Sequence, residues 1–131
     1  MNSAGYGDFF GAMINDWLNR WEIGNFPFYF VQLAPYDYPD GRDNSALVRE
    51  AQAQIQDRLF NTSMAVILDI GEENDIHPRT KIPVGEMLDV IDLWNTYQVK
   101  ASPTFDSMTI ERRCVRLLFK HSSNGLSFEW K

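Results

Sequence analysis

A chain of 131 residues with 44% hydrophobic side chains is long enough to bury a core in water. Twelve Lys and Arg against eighteen Asp and Glu give a net charge of -6, and no basic stripe is present to neutralise a phosphate backbone, which argues against nucleic acid as a partner. One cysteine, Cys114, cannot close an intrachain disulfide or build a cysteine-rich metal site, and no apolar run reaches the length of a membrane span.

In chain order, Phe10, Met13, Ile14, Trp17, Leu18 and Trp21 recur at three- and four-residue steps, predicting an amphipathic helix from Asp8 to Trp21 that Gly24 ends. The run from Pro27 to Pro35, PFYFVQLAP, predicts a buried strand broken by its closing proline. Tyr36 to Asn44 is a loop rich in Asp, Pro and Gly, and from Ser45 the spacing of Val48, Ala51, Ile55 and Leu59 predicts a second helix. MAVILDIG, Met64 to Gly71, predicts a second buried strand. After the polar stretch GEENDIHPRTK, Pro83 opens a third helix with Val84, Met87, Leu88, Ile91 and Trp94 on its apolar face. A strand, a crossover helix and a strand within about forty residues form the unit of parallel sheets. Beyond Pro103, MTIE and CVRLLF flank Arg112 and Arg113 as an antiparallel hairpin, and GLSFEW suggests one further strand. The fold class is therefore α/β, with parallel strands followed by a short antiparallel segment.

Ligands of open parallel sheets bind beyond the carboxyl ends of the strands, where the loop GEENDIHPRTK leaves the second strand. His77 in that loop has the chemistry of a general base, provided that an acceptor on its second ring nitrogen fixes the tautomer. Asp75 and Asp69 are the nearby acids. A histidine among acidic neighbours is also an ordinary solvated surface group, and Pro78 tips the balance by stiffening the backbone that presents it. Glu72, Glu73, Asp75 and His77 together admit a second reading, a metal-dependent hydrolase, although no zinc or EF-hand spacing is present. Arg49 and Gln52 on the middle helix read as a solvated face. The nine Phe, five Tyr and four Trp read mainly as core packing, with a sugar-stacking surface as the alternative. Asn61, Thr62 and Ser63 form a glycosylation sequon of the kind that arises by chance.

The segments FPFYFVQLAPY, ALVREAQ, MAVILDIGEENDIHPRTKIPVGEML and SMTIERRCVRLLF, in that order, resemble the sialate O-acetylesterase family of the SGNH hydrolase superfamily. The resemblance covers essentially the whole chain and is most specific around DIHP. It implies a partial three-layer, flavodoxin-like SGNH core, with residues 1–100 as its C-terminal half and residues 101–131 as the start of a β-rich module. His77 matches the family's late catalytic histidine. The family's acid stands three residues earlier, where this chain has Asn74, so Asp75 is the first candidate and Asp69 the second. The family's serine block has no counterpart, since Ser3, Ser45 and Ser63 lie in other contexts; Asn2, Ser3 and Ala4 resemble a short remnant of the oxyanion-hole block. The resemblance thus implies a fragment of a carbohydrate acetylesterase whose nucleophile lies outside this chain, inactive by itself, with an acetylated carbohydrate as substrate. It implies no metal or organic cofactor, and an exported parent protein. An incomplete sheet is expected to leave an edge that self-associates or pairs with the missing N-terminal half. The rival class is a non-catalytic carbohydrate-binding or interaction module.

Overall fold

Residues 5–38, 44–77, 79–99, 103–122 and 125–126 are described by a computed structural model. Among them the elements are helix α1 (Tyr6–Trp21), strand β1 (Phe28–Val31), helix α2 (Ser45–Arg58), strand β2 (Thr62–Ala65), helix α3 (Ile82–Asn95), and strands β3 (Thr104–Glu111) and β4 (Cys114–Lys120). β1 and β2 run parallel, with Phe28 opposite Thr62 and Val31 opposite Ala65; β3 and β4 form an antiparallel hairpin. The expected mixed α/β order is present, in two sheets of two strands each among the described residues.

Alternation along the strands sorts the helices onto two faces. Phe28, Phe30 and Met64 turn to one face and pack with Ile14 of α1 and Ile55 of α2, both of them fully buried. Phe10 meets Phe30 edge to face, with ring centres 4.9 Å apart. Gly11 lets the two helices approach closely, since a methyl group there would stand 3.2 Å from Ile55 Cδ1. Tyr29 and Ser63, opposite each other in the ladder, turn to the other face, where Tyr29 Oη lies 2.9 Å from Thr96 Oγ1 and Asn95 Nδ2 donates to Ser63 Oγ at 2.9 Å. Helix α3 therefore covers the face opposite α1 and α2.

The aromatic residues divide between core and surface, which corrects the expectation of mainly core packing. Phe10, Phe28 and Phe30 join the core, but Phe9, Trp21 and Phe60 are 80%, 61% and 82% exposed. The apolar stripe of α1 extends past what a two-stranded sheet can cover.

The sheet edges hold a second correction. Phe28 and Gln32 donate to the carbonyls of Asn61 and Ala65 at 3.0 and 2.9 Å, so the even positions of β1 face β2 and the odd positions face away. Gln52 of α2 occupies that outward side: its Oε1 accepts the Leu33 N–H at 2.9 Å and its Nε2 donates to the Val31 carbonyl at 3.3 Å. Gln56, one turn later, does the same for β2 by accepting the Met64 N–H at 2.8 Å. Gln52 is thus a buried surrogate for a neighbouring strand and not part of a solvated face. It also hydrogen-bonds Tyr6, whose phenol burial raises above its ordinary value, an effect that bond partly offsets. Gln52→Leu should leave the two β1 groups unpaired and cost about 1–3 kcal/mol, read from urea unfolding by circular dichroism. An unchanged midpoint would show that water replaces the amide without loss.

The hairpin is longer than its sequence pattern suggests, and it is two-faced. Phe105, Met108, Ile110, Val115, Leu117 and Phe119 share one side, and the other carries Ser107, Thr109, Glu111, Cys114, Arg116 and, as its one large apolar residue, Leu118, with Arg116 Nε 2.7 Å from Glu111 Oε1. Ile110 is 75% exposed and Val115 57%, so the apolar side is open. The ring of His121, just past β4, lies 4.3 Å from that of Trp94 and ties the hairpin to α3. Residues Ser127 to Trp130 of the suggested further strand lie outside the described residues. No helix among the described residues is long and apolar enough to cross a membrane.

Candidate functional site

The segment expected as a strand from Met64 to Gly71 is a strand only to Ala65. Its partner β1 ends at Val31, opposite Ala65, and the chain then turns, with the Ile70 N–H donating to the Ile67 carbonyl at 3.2 Å. Val66 and Leu68 are left exposed. The loop that carries His77 therefore begins several residues earlier than the apolar run implies.

That loop is stitched by its own carboxylates. The Glu72 carbonyl accepts the Asp75 N–H at 3.2 Å, Glu72 Oε1 accepts the Arg79 N–H at 2.7 Å, and Asp75 Oδ1 accepts the His77 N–H at 2.8 Å. His77 is exposed, and among the described residues its ring nitrogens have no hydrogen-bond partner. The expected contact between an acid and the imidazole is therefore not formed: Asp75 holds the backbone of His77 and not its ring, and no hydrogen bond joins the exposed Asp69 to it. Nor are the side chains of the metal reading, Glu72, Glu73, Asp75 and His77, brought together. Among the described residues no three His, Cys, Asp or Glu side chains gather into a group that could hold an ion, because Glu72 and Asp75 point at backbone donors.

The loops leaving β1 and β2 are clamped to each other. The Asp37 N–H donates to the Glu73 carbonyl at 2.9 Å. Gly71 lies so close to Pro35 that a methyl group would collide with the proline ring, 2.9 Å from Cγ and 3.0 Å from the carbonyl oxygen. Gly71→Ala should push the loops apart and cost about 1–3 kcal/mol, visible as a lowered melting temperature and faster amide exchange at Glu73 to His77. Native exchange rates in that variant would show the clamp to be dispensable.

Between the clamped loops and the start of α2 lies an open cavity of about 350 Å³, lined by Tyr36, Asp37, Arg49 and Glu73 among others. Arg49 is half-buried, and its Nη1 is enclosed without an acceptor among the described residues, while the buried Gln32 Oε1 has no donor there. Sequence reasoning missed this cavity. Its legible signal was Pro35 and Gly71, each placed just after an apolar run. Of the serines considered, Ser45 is buried at the cavity wall, Ser63 accepts a hydrogen bond from Asn95, and Ser3 lies outside the described residues, as do Asn2, Ala4 and Pro78. Asn61 of the sequon donates its amide to the Asn25 carbonyl at 3.1 Å.

No protein-family profile and no curated protein matches this chain. Among solved structures, it is similar to a carbohydrate acetylesterase from Xanthomonas citri, with a TM-score of 0.77 and 30% identity over 92% of this chain. The match spans 29% of that enzyme, so the chain shares part of an esterase fold and less than a third of the enzyme's length.

Proposed function

We propose that this chain is part of a carbohydrate O-acetylesterase of the sialate-type SGNH class, in which a serine from polypeptide outside the chain attacks an acetyl ester of a sugar. The observation that carries the proposal is the similarity to the Xanthomonas citri acetylesterase over 92% of this chain. In this mechanism His77 takes the serine proton as general base and returns it to the leaving sugar oxygen as general acid. An acid, Asp75 or Asp69, orients the imidazole once the nucleophile is in place, since catalytic hydrogen bonds often close only in the assembled site. Residues 1–100 act as the C-terminal half of the hydrolase core and residues 101–131 as the start of a β-rich module.

The same proposal assigns a partner, either polypeptide carrying the rest of the hydrolase core or a second copy. The open apolar side of the β3–β4 hairpin and the exposed Val66 and Leu68 support it. A specific observation favours the second reading, a carbohydrate-binding module without chemistry: the ring of His77 has no partner, while a polar cavity with an aromatic wall lies beside its loop.

Turnover separates the two. The isolated chain should hydrolyse p-nitrophenyl acetate no faster than its His77→Ala variant. Combined with the portions of the Xanthomonas citri enzyme that lie outside the matching region, it should release acetate from acetylated sugars. A folded fusion without activity would remove the esterase proposal.

A further inference from the structure

We infer that Glu72 is a positioning residue for His77, whose loop it braces on both sides of the candidate base. This deepens the esterase proposal and rests on it for what His77 does, but the brace itself is argued from hydrogen bonds. Glu72 holds the chain at two points that bracket the histidine. Its carbonyl accepts the Asp75 N–H at 3.2 Å, and its Oε1 accepts the Arg79 N–H at 2.7 Å, so one grip lies before His77 and the other after it. Between them Asp75 Oδ1 accepts the N–H of His77 itself at 2.8 Å. Two of the three bonds that shape this loop therefore run through Glu72, and the third starts from a residue whose own N–H Glu72 holds.

Glu72 is itself fixed to the scaffold through both of its neighbours. Gly71 packs against the Pro35 ring, and the Glu73 carbonyl accepts the Asp37 N–H at 2.9 Å. Both contacts lead to the loop that leaves β1, so a continuous path of short contacts runs from that loop through Glu72 to the backbone of His77. A brace tied only to its own loop would move with it; this one is referenced to the neighbouring strand. Such fixing matters for a general base, because a displacement of about 1 Å can cost roughly 100-fold in rate.

The alternative is a surface carboxylate that takes whatever cation is near, and two observations oppose it. Glu72 is half-buried, whereas the next two residues, Glu73 and Asn74, are exposed. Arg79 also carries a guanidinium, the usual bidentate partner of a carboxylate, yet Oε1 accepts the main-chain N–H of Arg79, and no ion pair joins the two side chains. A bond to the main chain restricts the backbone, and with a charged acceptor it is stronger than a bond between neutral groups. What the brace requires at this position is an oxygen acceptor on a side chain of the same length, so Glu72→Gln preserves it and Glu72→Ala removes it.

Two measurements test the role, and the first does not depend on esterase activity. In the whole chain, Glu72→Ala should speed NMR-detected amide exchange at His77 and Arg79 by roughly ten-fold or more, with the amides of Ile14 and Ile55 unchanged and Glu72→Gln close to the parent. Unaltered exchange at Arg79, or equal acceleration at Ile14 and Ile55, overturns the brace. The second measurement uses the active fusion, with circular dichroism confirming the fold of each variant. There Glu72→Ala should lower kcat by roughly 10- to 100-fold while KM moves less than about three-fold, and Glu72→Gln should recover most of the loss. Faster local exchange with kcat unchanged in Glu72→Ala overturns the positioning role. A kcat loss of equal size in Glu72→Gln also overturns it, since the charge and not the acceptor would then be what His77 needs. A folded fusion without activity removes the esterase proposal and the catalytic part of this role with it, while the exchange rates still decide whether Glu72 holds the loop.

Discussion

In an active fusion that supplies the serine, His77→Ala is expected to lower kcat by roughly 10⁴-fold or more, because members of a catalytic triad act as a unit and loss of the base disables the nucleophile. The structure makes the companion experiment on the acid unusually clean. Asp75 Oδ1 accepts the His77 N–H, and an asparagine at 75 keeps an oxygen acceptor in that place. Asp75→Asn should therefore preserve the loop while removing the charge that stabilises an imidazolium. A kcat loss comparable to that of His77→Ala would assign Asp75 as the orienting acid. A large loss in Asp69→Asn with Asp75→Asn near the parent rate would transfer the role to Asp69. If His77→Ala costs less than ten-fold in an active fusion, His77 is not the base.

Ile55→Ala is expected to have the largest effect on stability. Ile55 is fully buried and touches α1, where Gly11 would meet its Cδ1 if it carried a methyl group, and it packs with Ile14 and Phe30 in the core cluster. Deleting such a side chain removes its transfer free energy and leaves a cavity, costing about 2–5 kcal/mol. For a chain of this size that corresponds to a fall of roughly 10 °C or more in Tm. Ile110→Ala is the control: with 75% exposure on the hairpin it should change stability by no more than about 0.5 kcal/mol. Equal effects of the two substitutions would mean that the cluster of Ile14, Phe30 and Ile55 does not hold the isolated chain together.

Periodicity made the three helices and the hairpin legible as elements, and in α1 and α2 it also placed the burial, since Ile14, Val48 and Ile55 are buried where helical spacing put them, whereas no residue of α3 is buried. It failed for β2, where MAVILDIG reads as one continuous strand although only its first part has a partner. Burial in a parallel sheet requires a neighbour, and an apolar run does not reveal where that neighbour ends. The placement of His77 on an exposed loop was legible from the strand-loop order. The orientation of its acid was not, because an aspartate two residues before a backbone N–H can hold that donor as readily as it can hold a ring. Gln52 was misread because a polar residue beside an apolar stripe looks solvated until a strand edge lies next to it.

The packing of Pro35 against Gly71 also restricts the order in which this sequence can change over evolutionary time. A side chain at 71 is excluded first by the proline ring and then, at 3.0 Å, by the residue-35 carbonyl, which every amino acid retains. Replacing Pro35 first by a residue without a ring opens most of the room, and the remaining tenths of an ångström at the carbonyl can be absorbed by a small shift. The reverse order passes through a collision between the two loops that form the cavity. Lineages that carry a larger residue at 71 should therefore have lost the proline at 35 beforehand, so the two positions form one heritable unit although they stand 36 positions apart in the chain.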